Sequence, residues 1–246
     1  MILIMSIKEA VQQLGATSES SDQYACGPDR GEPAISLRNV RVHADSIQRP
    51  LLDIEALELF AGERVVVTGL SGSGKSLLLA TLSGRWAAGL SFTGERTSSL
   101  TKIAFIPQRG MDALHPLSKL ERQLAKVSGK SLEQVGQALE AVGLGDPELR
   151  RRRPAELSGG QAQRATIALA VLTEAPLILA DEPTSALDHE SRDQTLRLLD
   201  QVLGKQQTMV VVTHDWAVAR VLATRHLIID DGKMCELAIG TPEQNA

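Results

Sequence analysis

One eight-residue stretch constrains this chain more than any other. Gly69-Leu70-Ser71-Gly72-Ser73-Gly74-Lys75-Ser76 follows the short β-branched run Arg64-Val65-Val66-Val67-Thr68 and opens an apolar segment that ends near Ser83. It fits G-x-x-x-x-G-K-[ST] in the strand–loop–helix setting that gives the pattern its meaning. The glycines let the backbone curl around a phosphate with its N–H groups turned inward. The helix that starts there adds the positive end of its dipole. Lys75 can then reach β- and γ-phosphates, and the Ser76 hydroxyl can ligate Mg²⁺. A chain built around this segment is expected to fold as α/β and to bind a nucleotide.

A second segment points to the same chemistry. Leu177-Ile178-Leu179-Ala180-Asp181-Glu182 is an apolar run ending in two carboxylates. A parallel strand buried on both faces carries polar groups only at its C-terminal end, where ligands of open α/β sheets collect. Asp181 is placed to hold the Mg²⁺ shell, and Glu182 to polarise a water for attack on a γ-phosphate. The bland alternative is a helix N-cap with an acidic first turn. It loses weight beside the phosphate loop. A third segment, Leu157-Ser158-Gly159-Gly160-Gln161, precedes a strongly apolar stretch. Ser158 can cap the helix, and the two glycines leave backbone N–H groups bare for a second anion. One nucleotide does not need two such loops. The pair suggests that two copies meet, each offering one loop to the other's triphosphate.

The rest of the chain reads as one domain behind an arm. Residues 6–14 suit a short helix, and the polar, Gly-, Ser- and Pro-containing stretch 15–34 reads as a flexible N-terminal arm, so that order spans 35–246. Strands are expected at 35–42, 51–59, 64–68, 102–107, 177–181, 208–213 and 226–230. Helices are expected at 75–83, 159–174, 189–204 and 215–223. Strands alternating with helices argue for a parallel sheet covered on both faces. The charged stretch 112–155 has no strand signal and reads as a helical subdomain. Lys and Arg number 26 against 30 Asp and Glu, a net charge of −4, and aromatics are 2% of the chain. A nucleic-acid binder wants a basic face and stacking rings, so that class is disfavoured. The longest apolar stretch, Ala165 to Ala180, is interrupted by Glu174 and Pro176, so no membrane span is expected. Cys26 and Cys235 are far apart in the sequence and are expected to be reduced, inert thiols.

With these residues in hand, the chain resembles an ATP-binding cassette (ABC) ATPase over about residues 35–240. The likeness rests on the loop at 69–76, Gln108 after Ile106-Pro107, the signature loop Leu157–Gln161, the strand ending in Asp181-Glu182, Ser185-Ala186-Leu187-Asp188, and His214 after Met209–Thr213. It implies a P-loop NTPase fold with a mostly parallel core sheet, an N-terminal antiparallel β subdomain and a helical subdomain inserted at about 109–160. It implies ATP and Mg²⁺ as cofactors and a nucleotide-sandwich dimer. Gly69, Ser71, Gly72, Ser73, Gly74, Lys75, Ser76 and Leu77 of one subunit would clasp the ATP together with Ser158, Gly159, Gly160 and Gln161 of the other. Asp188 would contact the opposite subunit. Ser76, Gln108 and Asp181 would hold the metal, and Gln108 would also sense the attacking water and the transmembrane partner. Glu182 would be the base, and His214 would contact the γ-phosphate and steady Glu182. The resemblance further implies a second ABC ATPase subunit, a permease pulled through 112–155 near Gln108, indirectly an extracytoplasmic solute-binding protein, and a peripheral place on the cytoplasmic face of a bacterial inner membrane.

A finer resemblance lies in Gln108-Arg109-Gly110-Met111-Asp112-Ala113-Leu114-His115-Pro116, which is similar to the segment after the glutamine in ATPases of nickel and peptide importers. The chain also departs from the family. Val40-Arg41-Val42-His43-Ala44 has no ring to stack on adenine, Leu77 stands where many members carry a hydroxyl, and His115 stands where the subfamily has Asn. The cysteine-bearing C-terminal extension of the longer peptide-importer ATPases is not expected here. The alternative reading is a soluble ABC ATPase of a non-transport complex, such as one for phosphonate metabolism. Arg150 to Arg153 form a basic run before the signature loop, either a solvated helix end or a contact for acidic lipid or the permease.

Overall fold

The computed structural model describes residues 31–237, apart from Ser46, Gln48, Ala186, Asp188 and residues 203–206. The helix expected at 6–14, most of the arm, Cys26 and Asp188 lie outside the described residues. In chain order the elements are β1 (Ile35–Ala44), β2 (Leu52–Leu59), β3 (Arg64–Thr68), α1 (Lys75–Ser83), β4 (Leu90–Ser98), β5 (Ile103–Ile106), α2 (Leu120–Ser128), α3 (Leu132–Ala141), α4 (Pro147–Arg151), α5 (Gly159–Leu172), β6 (Leu177–Asp181), α6 (His189–Val202), β7 (Thr208–Thr213), α7 (Trp216–Leu222), β8 (Arg225–Asp230) and β9 (Lys233–Leu237). Short 3₁₀ turns occupy Gly110–Ala113 and Pro154–Glu156.

The strands form a single mixed sheet in the order β4-β1-β2-β9-β8-β3-β7-β6-β5. Its β8-β3-β7-β6-β5 half is parallel, and β1 pairs antiparallel with β2 and β4. This is the expected parallel core with an antiparallel β subdomain. The parallel strands are rich in Val, Ile and Leu because both faces are covered. Val65, Val67, Leu177, Leu179, Val210 and Val212 pack on one side with Leu78, Leu79 and Leu82 of α1. Val66, Ile178, Ala180, Met209 and Val211 pack on the other with Ala162, Ala165, Ile167 and Ala168 of α5. Each fully buried Val or Leu contributes about 1.5–3 kcal/mol relative to exposure. Both layers converge on the loops after β3, β6 and β7, which is where the site forms.

The insert is helical, as expected. Leu120 and Leu124 of α2 and Val135 and Leu139 of α3 join the α5 side of the core. The turn at Gly110 packs directly on α5, where a side chain at Gly110 would meet the Ala162 carbonyl carbon at 2.5 Å.

Two strands were not expected from the sequence, β4 and β9. β4 lies at the sheet edge and is mostly exposed, so its alternation is faint. A bulge opposite it shifts the register between Arg38 and Arg41 of β1, and Asn39 there has φ 49°. Gly94 faces the bulge with φ 95° and the Asn39 carbonyl pressed against it. β9 carries Lys233, Cys235 and Glu236 and is exposed at most positions.

One polar pair is buried under the phosphate loop. Thr68 Oγ1 and His226 Nε2 are hydrogen-bonded at 2.9 Å, and the imidazole meets the Trp216 ring edge-on at 5.1 Å between centroids. Burial holds the His226 pKa below the ordinary histidine range. The neutral ring therefore contributes stability that is fully present above about pH 6.5 and is lost as pH falls through the lowered folded-state value. Urea midpoints on either side of that range are expected to fall more steeply with acid in the wild type than in His226→Gln. Equal slopes would show that His226 does not carry the acid sensitivity.

Candidate active site

β3 delivers the chain into the phosphate loop. Gly69 sits so close to β8 that a side chain there would meet the Ile229 carbonyl oxygen at 2.3 Å and Ser73 Oγ at 2.7 Å. Gly74 caps α1 with φ 114°, a conformation L side chains rarely adopt, and no side chain caps the helix. The first-turn N–H groups of α1 are thus left to an external acceptor. Ser73 Oγ is buried in the loop without a hydrogen-bond partner. Buried hydroxyls are rarely left so, and this one marks a place for an acceptor oxygen.

Lys75 is buried, and its Nζ donates to the carbonyls of Gly69 and Leu70, both at 2.9 Å. Ser76 Oγ donates to Asp181 Oδ2 at 3.2 Å, so α1 and the end of β6 meet at this pair. Burial pushes the Asp181 carboxyl above its ordinary range. The Ser76 hydrogen bond and Lys75 oppose that push, and the Glu182 charge adds to it. A divalent cation beside Asp181 would relieve the cost of keeping it ionised. No cluster of three or more His, Cys, Asp or Glu side chains able to cage a metal occurs among the described residues. A hydroxyl, one carboxylate and phosphate oxygens suit Mg²⁺, which keeps several waters and rarely takes an all-protein cage.

Glu182 lies just past β6 with φ 45°, a strained value for a non-glycine residue. Its amide donates to the Val212 carbonyl at 2.9 Å, which ties it to β7. Oε1 is 4.0 Å from Lys75 Nζ, and Oε2 is 2.6 Å from His214 Nδ1, a close contact that lacks hydrogen-bond geometry. The structure therefore gathers Lys75, Ser76, Asp181, Glu182 and His214 at one sheet edge. Gln108 joins them indirectly: its Nε2 donates to Ser185 Oγ at 3.1 Å, and Ser185 Oγ donates to the Glu182 carbonyl at 3.1 Å. Sequence reasoning missed this relay. Ser185 opens the segment Ser185-Ala186-Leu187-Asp188, but only the fold brings it to Gln108. Leu77 points its side chain into the β1–β2 side of the core.

The second loop forms as a capping box. Ser158 Oγ accepts from Gln161 N at 3.2 Å, and Gln161 Oε1 accepts from Ser158 N at 2.9 Å. The N–H groups of Gly159 and Gly160 remain. A side chain at Gly159 would meet nothing within 4 Å, and one at Gly160 only Leu187 Cδ2 at 3.7 Å. Nothing among the described residues demands glycine there.

Comparison with known proteins decides the family. Residues 52–185, more than half of the chain, match the profile described as ABC transporter. The chain belongs to the ABC transporter family. It is 32% identical over 243 residues to the peptidoglycan transport ATP-binding protein YejF of Agrobacterium fabrum, covering 87% of this chain and 44% of that protein. It is 35% identical over 234 residues to the macrolide export ATP-binding/permease protein MacB 1/2 of Paracoccus denitrificans, covering 84% of this chain and 33% of that one. The chain thus spans less than half the length of these relatives. A dimeric post-hydrolysis state of the ATP-binding cassette MJ0796 bound to ADP and Pi superposes with a TM-score of 0.64 at 28% identity, covering 84% of this chain and 100% of that one. The fold is that of an ABC ATPase, and the domain is an ATPase that uses ATP with Mg²⁺. No helix among the described residues is long and apolar enough to cross a membrane.

Proposed function

We propose that the chain is the ATP-hydrolysing subunit of an ABC importer, docked peripherally on the cytoplasmic face of a membrane. The observation that carries the reading is the convergence of Lys75, Ser76, Asp181, Glu182 and His214 within contact distances at the sheet's C-terminal edge. Gly69, Ser71, Gly72, Ser73, Gly74 and Leu77 wrap the phosphates with backbone N–H groups and the free Ser73 hydroxyl, and Lys75 turns from its two carbonyls to the γ-phosphate. Ser76, Asp181 and Gln108 would hold the metal, which when bound would supply positive charge against the phosphoryl oxygens. Glu182 accepts the proton of the attacking water, steadied by His214 on one carboxylate oxygen. The open space over Gly159 and Gly160 suits a triphosphate brought by a second subunit, with Ser158 and Gln161 shaping the loop and Asp188 at the same interface.

Coupling to a permease would run through 112–155 near Gln108. A cavity of about 600 Å³ opens between α1, β4 and β5, lined among others by Ser76, Asp181, Ala80, Arg96 and Phe105. A permease segment seated there would bear on the metal-holding pair directly. The segment 108–116 favours uptake of peptides or metal chelates, with a solute-binding protein as a more distant partner, and the likeness to the peptidoglycan transport protein YejF favours a transport role. The likeness to MacB favours a second reading, export.

Co-purification in mild detergent is expected to yield the chain with two transmembrane proteins and a second ATPase subunit. Cells lacking the chain are expected to lose uptake of labelled short peptides or nickel chelates. Recovery with soluble enzymes alone would favour the non-transport reading, and retained uptake with lost efflux would favour export.

A further inference from the structure

The four-arginine run does not form a patch of four. Arg150 folds inward: its Nη2 lies 3.9 Å from Glu140 Oε2, and its guanidinium lies against Gly136. Arg151 pairs with Glu148 at 3.7 Å. Arg152 and Arg153 remain exposed. The fold then adds cations that the run does not contain. The amide of Leu120 donates to the Arg152 carbonyl at 2.9 Å, which sets the end of α4 against the start of α2. Lys119, Arg122 and Lys126 are all exposed there. At about 100° per residue Arg122 and Lys126 lie about 40° apart on the α2 surface, opposite the buried Leu120 and Leu124, and Lys119 is the residue that leads into the helix. Glu121 lies off that stripe. None of Lys119, Arg122, Lys126, Arg152 and Arg153 forms an ion pair among the described residues. Leu117, 70% exposed, stands immediately before them, and Val127 is 65% exposed at the far end of α2.

We infer that this corner, Leu117 with Lys119, Arg122, Lys126, Arg152 and Arg153, is a contact surface for an anionic phospholipid bilayer. Charge complementarity carries the choice. Five cations without an ion-pair partner among the described residues gather at one corner of a chain whose net charge is −4. Two of them lie on the outer face of α2 and the other three at the adjoining start of α2 and end of α4, a spread that suits a diffuse sheet of negative headgroups. The exposed leucine beside them can enter the headgroup boundary, as apolar side chains of interfacial helices do. No aromatic side chain lies in α2 or α4 to stack on a nucleic-acid base. The inference deepens the membrane-docked reading and rests on it for its role in the cell.

Sedimentation of the full chain with large vesicles, without permease, tests it. The wild type is expected to co-sediment with phosphatidylcholine vesicles carrying phosphatidylglycerol, to stay in solution with phosphatidylcholine alone, and to be released by added salt. Each cation near the surface is worth about fivefold in partitioning. Lys119→Gln, Arg122→Gln and Lys126→Gln together are therefore expected to weaken it about a hundredfold. The basal ATPase rate should be unchanged, which shows that the variant folds. A wild type that ignores the anionic lipid, or a triple variant that sediments as well as the wild type, overturns the inference. So does inorganic phosphate releasing the protein more effectively than chloride at equal ionic strength, since that marks a discrete phosphate pocket. Normal vesicle binding by the triple variant with loss of permease stimulation would assign the corner to the permease instead. ATPase activity without vesicle binding removes only this surface, whereas vesicle binding without ATPase activity removes the catalytic reading.

Discussion

Glu182→Gln is expected to lower kcat for ATP hydrolysis by about 10²–10⁴-fold while leaving ATP binding intact. Glutamine keeps the length and most of the shape of the side chain, so the strained backbone at φ 45° and the amide bond to Val212 need not change. What is lost is the capacity to accept a proton. The neighbours make that loss specific. Lys75 Nζ lies 4.0 Å from one carboxylate oxygen and His214 Nδ1 lies 2.6 Å from the other, so each oxygen has a polar neighbour. With hydrolysis slowed and binding preserved, ATP should accumulate at a closed interface. Size-exclusion chromatography with ATP and Mg²⁺ is expected to move the variant from monomer to dimer, while the wild type returns to monomer as ATP is consumed. Wild-type turnover in this variant would remove Glu182 from the role of base.

Lys75→Ala is expected to weaken ATP affinity about ten- to hundredfold, the value of one or two charge-assisted hydrogen bonds to phosphate. The ammonium is buried, and it reaches two backbone carbonyls of its own loop. Those bonds hold the lysine within reach of a phosphate, so little conformational freedom is lost when it turns. Titration calorimetry with Mg²⁺-ATP measures the change, and a thermal melt without nucleotide shows whether the loop alone has been destabilised. Unchanged affinity would mean that the backbone N–H groups of residues 69–76 carry the grip by themselves.

Much of this site is legible in the chain because its signals are local. A β-branched strand, a glycine loop with Lys75 and Ser76, and a helix lie within a few residues of each other. The same holds for the apolar run ending in Asp181-Glu182 and for the Ser158 helix cap, which the structure completes to a capping box with Gln161. The signals that failed were weak or distant. β4 and β9 are exposed strands with little alternation, one of them facing a bulge, so their pattern hardly differs from that of a loop. The Gln108–Ser185–Glu182 relay and the Thr68–His226–Trp216 contact join residues far apart in the chain. No spacing rule predicts them, because strand order brings them together.

By itself the sequence determined the α/β class, the glycine loop before α1, the acidic strand end and the capped glycine loop before α5. Periodicity, glycine conformation and helix capping act over a handful of residues and are written directly in them. Only the tertiary structure decided that β6 and β7 lie side by side, so that Glu182 meets His214, and that α1 faces the end of β6, so that Ser76 meets Asp181. It also decided that two of four consecutive arginines pair within the chain while Lys119 and two cations of α2 come to the same corner. Those outcomes depend on the register of parallel strands and on how helices seat over them, and that register is set by burying two apolar faces at once.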